Sequence, residues 1–183
     1  MYIASQKRKE NIAEYLLYMW QIEDLIRANG LDIDRIKASI IDNTALEPSQ
    51  KNELIGWYES LIDMMRSEGV QKSGHLQLNR NVIIQLVQLH DTLLKDPRFE
   101  EYAREFYKTL PFIVELRAKA GEQKAGEIET CFNALYGMLL MRLQGKEIGQ
   151  STTDAIGQIS RFIAMLAHYF KLDDNDELFK DKE

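Results

Sequence analysis

The sequence predicts an all-α protein, a single compact bundle of about six or seven helices in one domain that spans residues 1–183. Three observations predict this class. Apolar residues recur at helical spacing in nearly every segment, sustained two-residue alternation is absent, and glycine or proline stands between the segments. With 183 residues and 45% hydrophobic content, the chain is long enough to form a substantial core.

These boundaries divide the chain into helical segments separated by short connections. The predicted helices span residues 6–28, 34–41, 48–68, 80–95, 97–120, 122–144 and 151–171. We expect residues 1–5 and 173–183, which lie outside this pattern, to be loose.

The first four helices have recognisable ends. The pair Asn29-Gly30 ends the first helix, because glycine readily adopts the left-handed conformation that follows a helix. Pro48 opens the third, since the first helical position needs no backbone N–H. The longest irregular stretch covers residues 70–77, and Asn79 after it is a candidate cap for the fourth helix.

The last three helices are delimited in the same way. Asp96 and Pro97 predict the N-cap and first residue of the fifth helix. Pro111 within that helix predicts a kink or a split, because proline removes a backbone hydrogen bond. Ser151 with Asp154 resembles a capping box and opens the last helix.

Composition excludes several classes of function. The formal charge is −6, whereas a general nucleic-acid binder needs a basic face to neutralise phosphates. The longest apolar run, from Ala134 to Met141, ends at Arg142 and is far shorter than the ~20 residues of a membrane span. We therefore expect a cytoplasmic protein that binds neither nucleic acid nor membrane.

The cysteine and histidine residues give no support for a metal site or a cofactor. Cys131 is the only cysteine, which excludes an intramolecular disulfide, and its place on an apolar stripe predicts a buried, inert thiol. His75 lies in a glycine-flanked loop and His168 on the polar edge of the last helix. No His-x-x-x-His or Glu-x-x-His spacing is present, so we expect no metal and no cofactor.

The first helix carries two charges on its apolar face. Glu23 and Arg27 lie within this face, flanked by Tyr15 and Trp20. Buried charges need partners, and the spacing of four residues lets the two pair directly, so we expect Glu23 to be at least half buried and paired with Arg27, Arg142 or both. Such a pair can fix packing, or it can orient the polar group of a ligand.

Two further ionisable residues interrupt apolar faces. His90 is flanked by Leu86, Val87 and Leu93, and a core histidine satisfied by a carbonyl or carboxylate is the simplest interpretation. Arg142, near the end of the sixth helix, can extend its stem to water or meet an acidic residue of another helix, for which Glu23 is a candidate. The candidate ligand-binding residues are Tyr15, Trp20, Glu23, Arg27, His90 and Arg142.

The first, sixth and last helices are apolar on most sides, which predicts that neighbours cover most of their surface. In the last helix Phe162, Met165 and Tyr169 form a second stripe opposite the main one. If no other helix of the chain covers these three side chains, they form a patch suited to a homo-oligomer interface.

The N-terminal run from Gln6 to Arg27, QKRKENIAEYLLYMWQIEDLIR, resembles the opening of a family of uncharacterised helical proteins from Bacteroidetes. The resemblance covers essentially the whole chain, including the stretch from Cys131 to Gln144. It implies a cytoplasmic bacterial protein of a domain-of-unknown-function family, and it implies no activity and no catalytic residues.

Because no catalytic constellation is present and apolar helix surface is in excess, we predict a non-enzymatic interaction or assembly module that self-associates. The alternative is a bundle that binds a small ligand in a pocket near the first and sixth predicted helices. A third class is an enzyme that uses His90 or Glu23 as a base.

Overall fold

The computed structural model of the chain describes residues 2–119 and 125–180. Within these residues the fold contains eight α-helices and no strand, and 80% of the positions are helical, which confirms the all-α prediction. The α-helices are α1 (Tyr2–Glu10), α2 (Ile12–Ala28), α3 (Ile33–Ile36), α4 (Pro48–Ser67), α5 (Gln77–Lys95), α6 (Glu100–Lys119), α7 (Glu127–Leu143) and α8 (Gln150–Asp174). A π-helical turn (Lys37–Ile41) follows α3, and a 3₁₀ turn (Pro97–Phe99) precedes α6.

The first predicted helix is in fact two helices. It breaks at Asn11, whose side-chain oxygen accepts the backbone N–H of Ala13 at 3.0 Å, as a residue at a helix start does. The residues before this break, including 2–5, which the sequence predicts to be loose, form α1.

Three other boundary predictions need correction. Asn79 lies inside α5, which begins at Gln77, and Ser151 lies inside α8, whose N-cap is Gly149. Of the two outcomes predicted for Pro111, a split of the helix does not occur, because α6 runs through it, and a kink stays a prediction. The predicted start of the sixth helix at residue 122 lies outside the described residues.

Residue contacts divide the chain into two compact units. The N-terminal unit comprises residues 1–10 and 14–82, and the C-terminal unit comprises residues 11–13 and 83–183. The assignment of the whole chain to a single domain stays a prediction.

The N-terminal unit has a core of aliphatic and aromatic side chains from α2, α4 and the segments around them. Its buried members include Leu16, Met19, Trp20, Ile26, Ile36, Ile41, Tyr58, Leu61, Met65 and Leu76. Two polar residues, Glu23 and Asn79, are fully buried in this unit as well. Buried polar groups need hydrogen-bond partners, so these two residues and their partners define a candidate functional site.

In the C-terminal unit, α6, α7 and α8 pack against one another. The buried side chains of this unit include Leu86, Leu93, Tyr102, Phe106, Ile113, Ile128, Phe132, Ile159, Phe162 and Leu166. A polar contact joins α6 to α8 at the edge of this core, where Gln158 Nε2 donates to Glu105 Oε1 at 2.7 Å and to Thr109 Oγ1 at 3.1 Å.

The apolar patch predicted on the last helix does not form as expected. Phe162 is fully buried, with its ring centroid 5.6 Å from that of Phe106. Tyr169 packs edge-on against Phe99 and Tyr102 within the same unit. The interface proposed from Phe162, Met165 and Tyr169 thus loses one of its three side chains, and self-association stays a prediction.

Across the described parts of the chain, we find no helix that combines the length and the apolar character needed to cross a bilayer.

Candidate functional site

Glu23 is the most completely buried carboxylate of the N-terminal unit, with no exposed surface. Its Oε1 accepts hydrogen bonds from the backbone N–H of Leu76 at 2.9 Å and from Nδ2 of Asn79 at 2.7 Å. Its Oε2 lies 2.6 Å from Nδ1 of His75. The prediction that Glu23 is at least half buried is correct, and all three of its partners belong to the end of one loop and the start of α5.

His75 is held on a second side by Trp20. The two rings are stacked, with centroids 4.1 Å apart and planes inclined by 14°. Trp20 is buried, whereas 28% of the His75 side chain is exposed. The carboxylate fixes one edge of the imidazole and the indole fixes one face, so the ring has little freedom to rotate.

The remaining nitrogen of His75 faces outward. Among the described residues Nε2 has no hydrogen-bond partner, and it is not one of the buried atoms that lack a partner, so it reaches solvent. Because the Glu23 carboxylate can only accept, Nδ1 of His75 must carry a proton. In a neutral imidazole the lone pair is then on Nε2 and available to a ligand or substrate.

Arg27 secures the loop that carries His75. Its Nη1 donates to Asp24 Oδ1 at 2.8 Å, and its Nη2 donates to the backbone carbonyls of Val70, at 3.1 Å, and of Gly74. The predicted ion pair of Glu23 with Arg27 is therefore wrong. The two side chains leave the same face of α2, but each reaches the 70–79 segment separately, because that segment supplies the hydrogen-bond partners that both need.

Gly74, directly before His75, has a backbone conformation that favours glycine. Its φ is +86°, and a Cβ built there would lie 3.3 Å from Nη2 of Arg80. Arg80 is exposed and forms no ion pair within residues 2–119 and 125–180. An available guanidinium thus lies beside the residue that precedes His75.

Two buried polar atoms of this site have no hydrogen-bond partner in the part of the chain that the structure describes. They are Nε of Arg27 and Oδ1 of Asn79. A buried unsatisfied polar atom costs about 1–3 kcal/mol, and folded proteins contain few of them. Their presence in one cluster is typical of a site where stability is given up for another purpose.

His90, which is buried, lies in the core of the C-terminal unit. Its Nδ1 is 2.6 Å from the Tyr102 hydroxyl, and its ring packs against Phe106 and Phe162. Burial raises the pKa of Tyr102, so the phenol keeps its proton and donates it to Nδ1. Burial lowers the pKa of His90, against the opposing effect of the Glu127 and Asp91 charges. We conclude that His90 is a neutral core residue.

The other candidate residues do not join the site. Tyr15 lies about 12 Å from Glu23 along the axis of α2, and its buried ring faces the Arg8 guanidinium, 5.4 Å from the ring centroid. Arg142 is exposed and has no ion pair within the described residues, so the predicted contact with an acidic residue is absent. Burial raises the pKa of the Cys131 thiol to about 12, as expected of an inert thiol.

Local sequence patterns do not assign His75 and Asn79 to this site. Their hydrogen bonds to Glu23 span 52 and 56 residues, so no local pattern contains them. The signal available was indirect: the longest irregular segment of the chain contains a histidine directly after a glycine. A long irregular loop needs contacts that fix it to the core, and a buried glutamate without a basic partner needs hydrogen-bond donors. The two requirements can be met by the same contacts.

A cavity of the N-terminal unit lies away from this site. It is an open groove of about 680 Å³ lined by residues 30–33, Glu59, Ile62, Asp63 and Arg66. Its acidic rim is not part of the Glu23–His75 site. In the described segments, no three histidine, cysteine or acidic side chains are close enough to hold a metal ion.

Comparison with known proteins gives a family but no activity. No curated protein and no solved structure shows significant similarity to the chain. Residues 1–177 match one family over nearly the whole length. The chain therefore belongs to the family described as Domain of unknown function (DUF4924).

Proposed function

We propose that this protein binds a small anionic ligand, with Nε2 of His75 and the guanidinium of Arg80 as its contacts. The observation that carries the proposal is the fully buried Glu23 carboxylate. Leu76 and Asn79 hold its Oε1, and its Oε2 contacts the partly exposed imidazole of His75. Ligand binding is preferred to assembly because Phe162, one of the three residues of the patch that suggested self-association, is buried and packs against Phe106.

A purely structural tether does not require a charge at Glu23. An amide could accept the same two bonds from Leu76 and Asn79, and burying a carboxylate costs several kcal/mol more than burying a neutral group. What the carboxylate adds is control of His75: it accepts the proton on Nδ1 and thereby fixes the orientation of the ring and leaves Nε2 to meet the ligand. This arrangement supports a role in recognition.

The ligand class follows from the charges beside the exposed ring. Arg80 lies next to Gly74 and forms no ion pair with the described residues, so its guanidinium is available to an oxyanion. Trp20 backs the imidazole with an apolar face, which excludes water from that side. The guanidinium can donate to the oxygens of a phosphate group, and a phosphate hydroxyl can donate to the lone pair on Nε2.

The stacked indole provides the test. In a Trp57→Phe background, Trp20 is the only tryptophan, and inorganic phosphate that contacts His75 should change its emission. We expect a saturable change with half-saturation at or below about 10 mM. His75→Gln and Arg80→Gln should each weaken it.

The matched control is Arg104→Gln, which removes an exposed arginine of α6 that pairs with Glu100. This variant should leave the titration unchanged. A titration without any change, or one that His75→Gln and Arg104→Gln affect equally, would exclude the proposed site.

A further inference from the structure

We infer that Nε2 of His75 is a nucleophile that accepts a phosphoryl group from a small phosphoryl donor such as an acyl phosphate or a phosphoramidate. The inference rests on the proposed anion site, to which it adds a covalent step. It makes the Glu23–His75 pair a phosphohistidine site, in which Glu23 is a positioning residue.

The nucleophile is already oriented. Nδ1 is bound to Glu23 Oε2 at 2.6 Å, and Trp20 holds the ring by stacking, so Nε2 projects from a fixed imidazole into solvent. A carboxylate that accepts the Nδ1 proton keeps the lone pair on Nε2, which is the requirement for attack. Leu76 and Asn79 in turn hold the carboxylate in place.

Phosphoryl transfer requires only Nε2 of His75 and the phosphoryl donor. The Nε2 lone pair forms a bond to phosphorus while the bond from phosphorus to the leaving group breaks, and the leaving group departs with that electron pair. For phosphoramidate the leaving group is neutral ammonia. The imidazole then carries a proton on Nδ1 and a phosphoryl group on Nε2, and its ring becomes positively charged.

The site contains a partner for each charge of the product. The Glu23 carboxylate, in contact with Nδ1, offsets the positive charge of the ring. Arg80, beside Gly74, is the guanidinium available to the phosphoryl oxygens during transfer. Because Glu23 occupies Nδ1, only Nε2 can be modified in the folded protein.

The chain contains its own control residues. Its three histidines are His75, His90 and His168. His168 is exposed on α8 and has no carboxylate within hydrogen-bond distance among the described residues, whereas His90 is buried. His168 therefore reports the reactivity of an ordinary exposed imidazole under the same conditions.

The experiment treats the full chain with potassium phosphoramidate near neutral pH and follows each histidine by mass spectrometry at neutral or basic pH, where phosphohistidine survives. We expect His75 to react about tenfold faster than His168 or more, and ³¹P NMR should show the Nε2 isomer. Glu23→Gln should bring the rate at His75 down to that at His168, and Arg80→Gln should lower it severalfold.

A second measurement covers the case in which Glu23→Gln does not fold. In denaturant the wild-type chain should modify His75 and His168 at equal rates, because the advantage belongs to the folded site. Equal rates in the native chain, or an Nδ1 product at His75, would overturn the inference. If phosphate still changes the Trp20 emission in that case, the proposed anion site stands and only the covalent step fails.

Discussion

Oε2 of Glu23 lies 2.6 Å from Nδ1 of His75, although 52 residues separate them in the chain. This contact joins α2 to the loop that precedes α5, and Arg27 binds the same loop through the carbonyls of Val70 and Gly74. Two side chains one helical turn apart thus bind the 70–79 segment through opposite hydrogen-bonding roles. Glu23 accepts from its donors, and Arg27 donates to its acceptors.

Glu23→Ala should lower the free energy of unfolding by about 3–5 kcal/mol, because the Leu76 N–H and the Asn79 amide would be left buried without an acceptor and a cavity would form. Glu23→Gln should cost less, about 1–2 kcal/mol, since its carbonyl oxygen can still accept from both donors. Urea denaturation of the two variants measures the difference.

The control for this comparison is Glu53→Ala, which removes an exposed glutamate of α4 and should change stability by less than about 0.5 kcal/mol. A loss below about 1 kcal/mol for Glu23→Ala would mean that the three hydrogen bonds are not formed in solution.

Arg27→Lys should destabilise the protein by about 1.5–3 kcal/mol although it keeps the charge. The guanidinium reaches Asp24 with one nitrogen and two backbone carbonyls with the other, and an ammonium group cannot span the three acceptors. Thermal unfolding should show a clear decrease in Tm.

Arg35→Lys provides the comparison, because Arg35 is 71% exposed and its one charge partner among the described residues is Asp32, at 3.5 Å. Its Tm should stay close to that of the wild type. Equal effects of the two substitutions would show that Arg27 acts only as a positive charge.

Gly74→Ala should reduce stability by about 1 kcal/mol or more, because alanine at a φ of +86° is strained and its Cβ would press on Arg80. Gly56→Ala, inside α4 with open space at the Cβ position, should instead stabilise the protein by about 0.5–1 kcal/mol. Chemical denaturation should show changes of opposite sign in the free energy of unfolding for the two substitutions. Changes of the same sign would contradict the backbone conformation at Gly74.

The fold class could be predicted from the sequence because helical periodicity is a local property. The apolar spacing of the segments around α4 and α8, and the proline that opens α4, lie within a few residues of the structure they produce. The boundaries at Asn11 and Asn79 were missed for a physical reason. An asparagine can start a helix or lie inside one, and the choice depends on whether its side chain finds a tertiary partner such as Glu23.

The candidate site could be predicted only in part. Burial of Glu23 followed from the apolar face of α2, and Trp20 and Arg27 were rightly placed near it. The partner was assigned wrongly because spacing of four residues permits a Glu23–Arg27 pair without requiring one. The 70–79 segment offers Glu23 a histidine, a backbone N–H and an amide, and it offers Arg27 two carbonyls. Together these contacts satisfy more polar atoms than the direct pair would.

His90 should make stability depend on pH in the neutral to mildly acidic range. Burial lowers its pKa below the ordinary value of about 6.5, so the folded state binds this proton less readily than the unfolded state. The contribution of the neutral imidazole is therefore complete above about pH 6.5 and is lost progressively as the pH falls below it. In urea denaturation from about pH 7.5 to pH 5.5, the stability difference between wild type and His90→Gln should shrink.

His168→Gln, which removes an exposed histidine, should show a constant difference in stability from wild type over the same range. If the stability difference between wild type and His90→Gln grows instead as the pH falls, His90 takes up its proton in the folded state. It then pairs with Glu127, whose Oε2 lies 4.0 Å from Nε2, and the assignment of His90 as a neutral core residue is wrong.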